Sequence, residues 1–274
     1  MNSIRAIAIG ALGMYGLLLL PVAAQAQYGA TPFRDPATGE SYHIEAAAAF
    51  WNPPLDLKVR SEQLGIAGTQ LDAVTDLGLT QKRLTELRFV LRPAKKHKFR
   101  LNYLPMKYTG QSTVHRTFIF NGQSFGANLP LATDLEWTTW LVAYEYDFIY
   151  RDRGFAGLTL NTKFTKVGVD ITSPIGAEFA LAQAPVPTLG GIARIYVAPN
   201  ISITADINGI KLPDSINADY QAHYFDFDLY GTVNFSEYVG AQVGYRNIDV
   251  NYRFKQDEGT FKMKGLYFGG VVRY

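Results

Sequence analysis

The chain has no cysteine, so a protein of 274 residues is held together without disulfides, which excludes a small disulfide-stapled secreted module. An excess of one charge sign is missing too. The 26 basic and 24 acidic residues leave +2, and no basic run marks a nucleic-acid surface. Histidine is scarce, at four residues. Past residue 20, no apolar run approaches the ~20 residues that a membrane-spanning helix needs. Neither a Ser/His/Asp arrangement, nor a metal-ligand cluster, nor a phosphate-binding glycine loop can be assembled from the motifs. The sequence therefore predicts no catalytic residue, no metal site and no cofactor.

What is present is aromatic and glycine-rich: 17 Tyr, 17 Phe and 25 Gly, with mean hydropathy near zero. The N-terminus carries one positive charge at Arg5, an apolar run from Ala6 to Leu20, and Ala24-Gln25-Ala26. That order predicts a secretory signal peptide over residues 1–26, with the folded part over 27–274.

From His43 onward the dominant pattern has period two. Ile44, Ala46, Ala48 and Phe50 alternate with His43, Glu45, Ala47, Ala49 and Trp51, until Pro53 and Pro54 interrupt. Leu87, Phe89 and Leu91 then oppose Glu86, Arg88, Val90 and Arg92. Phe99, Leu101 and Tyr103 oppose Lys98, Arg100, Asn102 and Leu104. In the longest run, Trp140, Val142, Tyr144, Tyr146, Phe148 and Tyr150 fill one face; Glu145 and Asp147 lie on the other. Similar segments cover 156–165, 189–197, 201–208, 221–234, 239–254 and 260–274. Near Asn247 the phase changes, since Ile248, Val250, Tyr252 and Phe254 resume on the opposite parity. A bulge, or emergence from a membrane, would account for the change.

Short connections fall at Pro93–His97, Arg151–Gly154, Ala198–Asn200 and Phe235–Tyr238. Longer ones fall at Asn52–Gln81, Thr109–Thr133, Ser173–Thr188, Lys211–Asp219 and Lys255–Gly259. The first holds a short hairpin or an inward-folded piece. The second carries Thr117-Phe-Ile-Phe120 before Asn121-Gly122, a favoured hairpin turn. Four short turns and five loops join ten strands, with limits of eight and twelve according to how the first loops are counted.

The last nine residues, Leu266 to Tyr274, alternate Tyr274, Val272, Gly270, Phe268 and Leu266 against Arg273, Val271, Gly269 and Tyr267. An aromatic final residue resembles the C-terminal strand of bacterial outer-membrane β-barrels. Together with alternating turn lengths, the chain resembles small barrels of the OmpA and OmpW types in class only. The resemblance implies an all-β, transmembrane antiparallel barrel in the bacterial outer membrane. It also implies contact with outer-membrane lipids and lipopolysaccharide, and passage through the barrel-assembly machinery. The alternative is a soluble exported lipocalin-like protein or sandwich with the aromatic faces turned inward.

If the apolar faces meet lipid, the interior carries Glu45, Glu86, Glu145, Asp147, Asp206, Asp226 and Asp228. Against them stand Arg88, Arg92, Arg100, Lys163, Arg194, Arg246 and Arg273. The two sets cancel, and charges in a narrow barrel need partners or water. One expectation is a salt-bridged filling and a structural role in the outer membrane. The alternative is a narrow porin for small solutes. Its lining would be Glu86, Arg88, Arg100, Glu145, Asp147, Lys163, Arg194, Asp206, Asp226, Asp228 and Arg246. A third reading, a lipid-modifying enzyme, rests on His115-Arg116-Thr117, which resembles the His-x-Ser pair of outer-membrane lipid A deacylases but has Thr in third place. Asp226-x-Asp228 reads as an acid pair only if it escapes neighbouring arginines. By parity His43 points inward and His223 faces lipid.

Overall fold

The computed structural model describes residues 37–60, 68–113, 115–120, 122–174, 176–212, 220–254 and 257–274. The signal-peptide expectation over 1–26 lies outside them, as does most of the 211–219 connection.

Strands follow in chain order: β1 Ile44–Trp51, β2 Asp56–Arg60, β3 Leu71–Asp72, β4 Leu84–Ala94, β5 His97–Thr113, β6 Phe118–Phe120 and β7 Gln123–Phe125. They continue as β8 Pro130–Arg151, β9 Gly154–Ser173, β10 Gly176–Ala198, β11 Ile201–Lys211, β12 Tyr220–Asn234, β13 Val239–Phe254 and β14 Asp257–Arg273. Ten of them close a ring in the order β1-β4-β5-β8-β9-β10-β11-β12-β13-β14, with β14 pairing back onto β1. Every pairing is antiparallel, and closure removes the free edges that a ten-stranded open sheet would expose.

The proline pair does not end the first strand. Trp51 pairs with Tyr267, and Asp56 pairs with Lys262 in the same register, so β1 and β2 are one line of chain along β14, interrupted at Pro53 and Pro54.

The Ser173–Thr188 connection is likewise not a loop. Gly176 pairs with Ser173, and β10 follows β9 without a break through Pro185 and Pro187. Both prolines are tolerated because β11 begins its pairing only at Leu189, leaving them on an edge where a missing N–H costs no ladder bond. Lys255–Gly259 shrinks in the same way, since Phe254 pairs with Asp257. Thr109–Thr133 is shortened from both ends by β5 and β8, and its centre is the anticipated hairpin, with Phe118 opposite Phe125 and Gly122 at φ 82°.

The phase change near Asn247 is no bulge. β13 keeps register with both neighbours through the whole stretch. What changes is the chemistry of each face. Below that level Val243 and Tyr245 point out while Gln242 and Arg246 are buried; above it Ile248 is buried and Asn247 and Asp249 point out. The same inversion recurs around the ring. In β8, Trp140, Val142, Tyr144 and Phe148 are exposed over buried Glu145 and Asp147, whereas further along Leu131, Leu135 and Trp137 are buried beneath Asp134 and Glu136. In β5, Lys98 and Arg100 give way inside to Leu104, Met106 and Tyr108. In β14, outward Leu266 and Phe268 give way to Lys262 and Lys264.

The barrel therefore has two storeys. One, next to the short turns, wears an apolar belt and holds charge inside, as a lipid-embedded barrel does. The other wears polar residues and has an apolar interior, as a water-soluble barrel does. Short turns mark the periplasmic end, so the soluble storey stands on the external side. Val243→Arg should fix the boundary: a charge at the belt costs about 2–4 kcal/mol at mid-bilayer. The same change at Asn247 should be tolerated, with urea unfolding in lipid vesicles as the readout.

Candidate functional site: the barrel interior

All eleven residues anticipated as lining lie inside the membrane storey. Their level explains why they meet: inward side chains at one height reach across the interior, so Glu86 and Arg88 on β4 meet Arg246 on β13 and Asp228 on β12, three and four strands away round the ring.

At the centre, Arg246 donates from Nε and Nη2 to Asp226 at 2.9 and 2.8 Å, and from Nη1 to Glu86 at 2.6 Å. Lys163 Nζ donates to Asp226 at 2.8 Å and to the Tyr224 hydroxyl. Arg88 bridges Glu86 and Asp228 at 2.7 and 2.9 Å, and the Tyr267 hydroxyl donates to Asp228 at 2.9 Å. The Asp226-x-Asp228 pair is thus held by Arg246, Lys163 and Arg88.

A second cluster joins β5, β8 and β11. Lys98 bridges Glu145 and Asp147 at 2.8 and 2.9 Å, and Arg100 bridges Glu145 and Asp206 at 3.0 and 3.1 Å. Asn208 donates to Asp206 and accepts from Thr159 and Asn161. Gly190 opens this wall: a Cβ there would run into Asn208, Thr159 and the Ile207 carbonyl.

The third cluster closes the periplasmic mouth, and it includes a residue that strand parity could not find. The stretch from Ala37 to His43 folds into the mouth. There the buried Glu40 accepts from Arg194 (3.2 Å) and from the Tyr196 hydroxyl (2.9 Å), with Arg92 at 3.7 Å. Asn234 donates to the Thr38 carbonyl, the Gly39 N–H donates to Glu237, and Arg273 pairs with Glu45 at 2.6 Å.

Lys98 and Glu40 thus join the seven and seven named from the sequence, and the membrane storey still balances. Each of these sixteen groups has an opposite charge within 4 Å.

Over this layer sits the apolar storey. Leu71 and Leu77 from the segment after β2, and Phe118, Phe120 and Phe125 from the β6–β7 hairpin, pack against Tyr108, Leu135, Ile171 and Met263. All are 2 % exposed or less. The hairpin is tied down by the Thr69 N–H donating to the Ile119 carbonyl at 2.8 Å and by Arg116 contacting Asp76 at 3.1 Å. Burial pushes the Tyr108 phenol up to about 12, so it stays neutral inside this core.

The histidines sit elsewhere. His115 belongs to the loop before the hairpin and is exposed. His43 is exposed just before β1 rather than inward, because the chain there is still turning out of the mouth. His223 points outward but pairs with Asn251 on the polar storey, above the belt, so it meets water and not lipid.

No protein-family model and no curated protein matches the sequence. Among solved structures, the outer membrane protease OmpT from Escherichia coli superposes with a TM-score of 0.53 at 6% identity, over 87% of this chain and 98% of that one. At that identity the likeness establishes the fold alone. The transport unit of the autotransporter AIDA-I from Escherichia coli aligns more loosely, at a TM-score of 0.41 and 5% identity over 94% of each chain. So does the Pseudomonas putida toluene transporter TodX, at 0.35 and 8% over 88% of this chain and 96% of that one.

Proposed function

We propose that this protein, a bacterial outer-membrane β-barrel, is a non-conducting structural barrel whose membrane storey anchors a self-cored barrel on the cell surface. One observation carries the reading: among the described residues the interior is filled twice, by an ionic layer whose sixteen charged groups are all paired and then by an aromatic core. A pore selecting by charge would more naturally leave one sign in excess.

Purified protein in planar bilayers should give no stable unitary current. Reproducible conductance steps would reject the reading and favour passage of small solutes. Release of fatty acid from lipid A, lost on His115→Ala, would reject it in favour of an enzyme. Outer-membrane lipids and lipopolysaccharide are the partners that this reading requires around the belt, and the assembly machinery during insertion.

A further inference from the structure

The periplasmic rim is not electrically uniform. Of its four turns, that between β10 and β11 is uncharged, and that between β12 and β13 carries Glu237, already occupied by the Gly39 N–H. The other two, β4–β5 and β8–β9, are adjacent because β5 pairs with β8, His97 opposite Tyr146. Together they carry Lys95, Lys96, Arg151 and Arg153 against the single acid Asp152.

Lys95, Lys96 and Arg151 are exposed, and among the described residues none has a carboxylate within ion-pair distance. Their backbones are nonetheless fixed. Arg92 donates to the Lys95 carbonyl (3.2 Å), the Asp147 N–H donates to the Lys96 carbonyl (2.9 Å), and Arg151 pairs with Gly154 across the β8–β9 turn. Such turns hold cations in place without the ordering cost of a loose loop.

What lies beside them names the partner class. Phe99, Tyr146 and Phe148 project outward from the same strands, at 49, 37 and 50 % exposure, and Phe148 directly follows the residue bonded to Lys96. Exposed rings mark the edge of the hydrocarbon, and cations within a few residues of them stand at the headgroup plane.

We infer that the β4–β5 and β8–β9 turns form a docking site for an anionic phospholipid of the inner leaflet. Lys95, Lys96 and Arg151 hold the headgroup phosphate, and the Phe99–Phe148 wall takes the acyl chains. The other side of the rim, with Glu237, has no such preference. A membrane-surface cation contributes roughly 1 kcal/mol, about fivefold in affinity.

The test uses full-length protein in phosphatidylcholine vesicles containing spin-labelled phosphatidylglycerol or spin-labelled phosphatidylcholine. Wild type should retain phosphatidylglycerol in preference, and K95Q/K96Q/R151Q should lose that preference while E237Q keeps it. Unheated gel migration confirms that each variant is folded, and the single K96Q variant, expected to lose about fivefold, serves if the triple one does not fold. No preference in wild type, or a preference surviving in folded K95Q/K96Q/R151Q, would overturn the assignment. Inorganic phosphate should displace no more lipid than sodium chloride of equal ionic strength; full displacement would make this a free-anion site and reject the lipid.

Discussion

Asp226→Ala is expected to destabilise the barrel by about 3–5 kcal/mol, the cost of breaking a buried ion pair and leaving one charge behind. The stranded charge is Lys163. It is 1 % exposed, and among the described residues Asp226 is the one carboxylate it pairs with; without it the ammonium keeps one phenolic oxygen, that of Tyr224. Arg246 suffers less, because Glu86 still accepts from it at 2.6 Å. Adding Lys163→Met to Asp226→Ala should therefore restore part of the loss, since the second change removes the uncompensated charge. Urea unfolding in lipid vesicles measures both variants. A hydrated interior would behave differently: water would solvate Lys163, Asp226→Ala would unfold close to wild type, and the sealed-barrel reading would fail with it. The contrast inside the same protein is the Lys107–Glu136 pair on the polar storey. Its side chains are both 64% exposed, and there Lys107 holds the Glu136 carboxyl below its usual range while water screens the gain.

The membrane storey was legible in the sequence because lipid imposes a strict rule: one face of every strand apolar, the other free to be charged. Parity alone places Glu86, Arg88, Glu145 and Arg246 on one side of the wall, and the ten-strand count follows from the turns. Parity also turns Lys98 inward, beside Arg100 on the same face of β5, so it too was within reach of the sequence. Glu40 was beyond reach, because it lies before the first strand and arrives in the mouth by a fold of irregular chain. The external storey was misread for a physical reason. A strand that leaves lipid for water keeps its period but exchanges its faces, so a regular strand looks like a slip. Ile248 and Val250 after Arg246 were the visible sign of this exchange. Leu131, Leu135 and Trp137 ahead of Leu141 carry the same sign in β8, and Leu131 falls within the Thr109–Thr133 stretch that reads as a loop. Pro185 and Pro187 misled in the same way: they forbid a central strand, yet β10 is central only where β11 runs beside it.

The second large effect should separate the storeys. Phe118 and Phe125 stack at 5.1 Å across the β6–β7 hairpin, which among the described residues forms a two-stranded sheet separate from the barrel. They are 2 and 0 % exposed, and truncating a buried phenylalanine costs about 3–5 kcal/mol. A lone two-stranded hairpin is marginal in water, so Phe118→Ala/Phe125→Ala should release it from the core. Trypsin, added from outside to protein in vesicles, should then cut at Arg116, whose contacts to Asp76 and the Gln70 carbonyl hold it in the closed form. The membrane storey keeps its ladder and its ion pairs, so the cut protein should still migrate as a compact barrel until heated. Its conductance should also stay silent, because the layer around Arg246, Asp226 and Lys163 lies beneath the hairpin and does not depend on it. Steady current from this variant would instead make the aromatic core the only seal. Loss of the heat-dependent gel shift would show that the two storeys unfold as one.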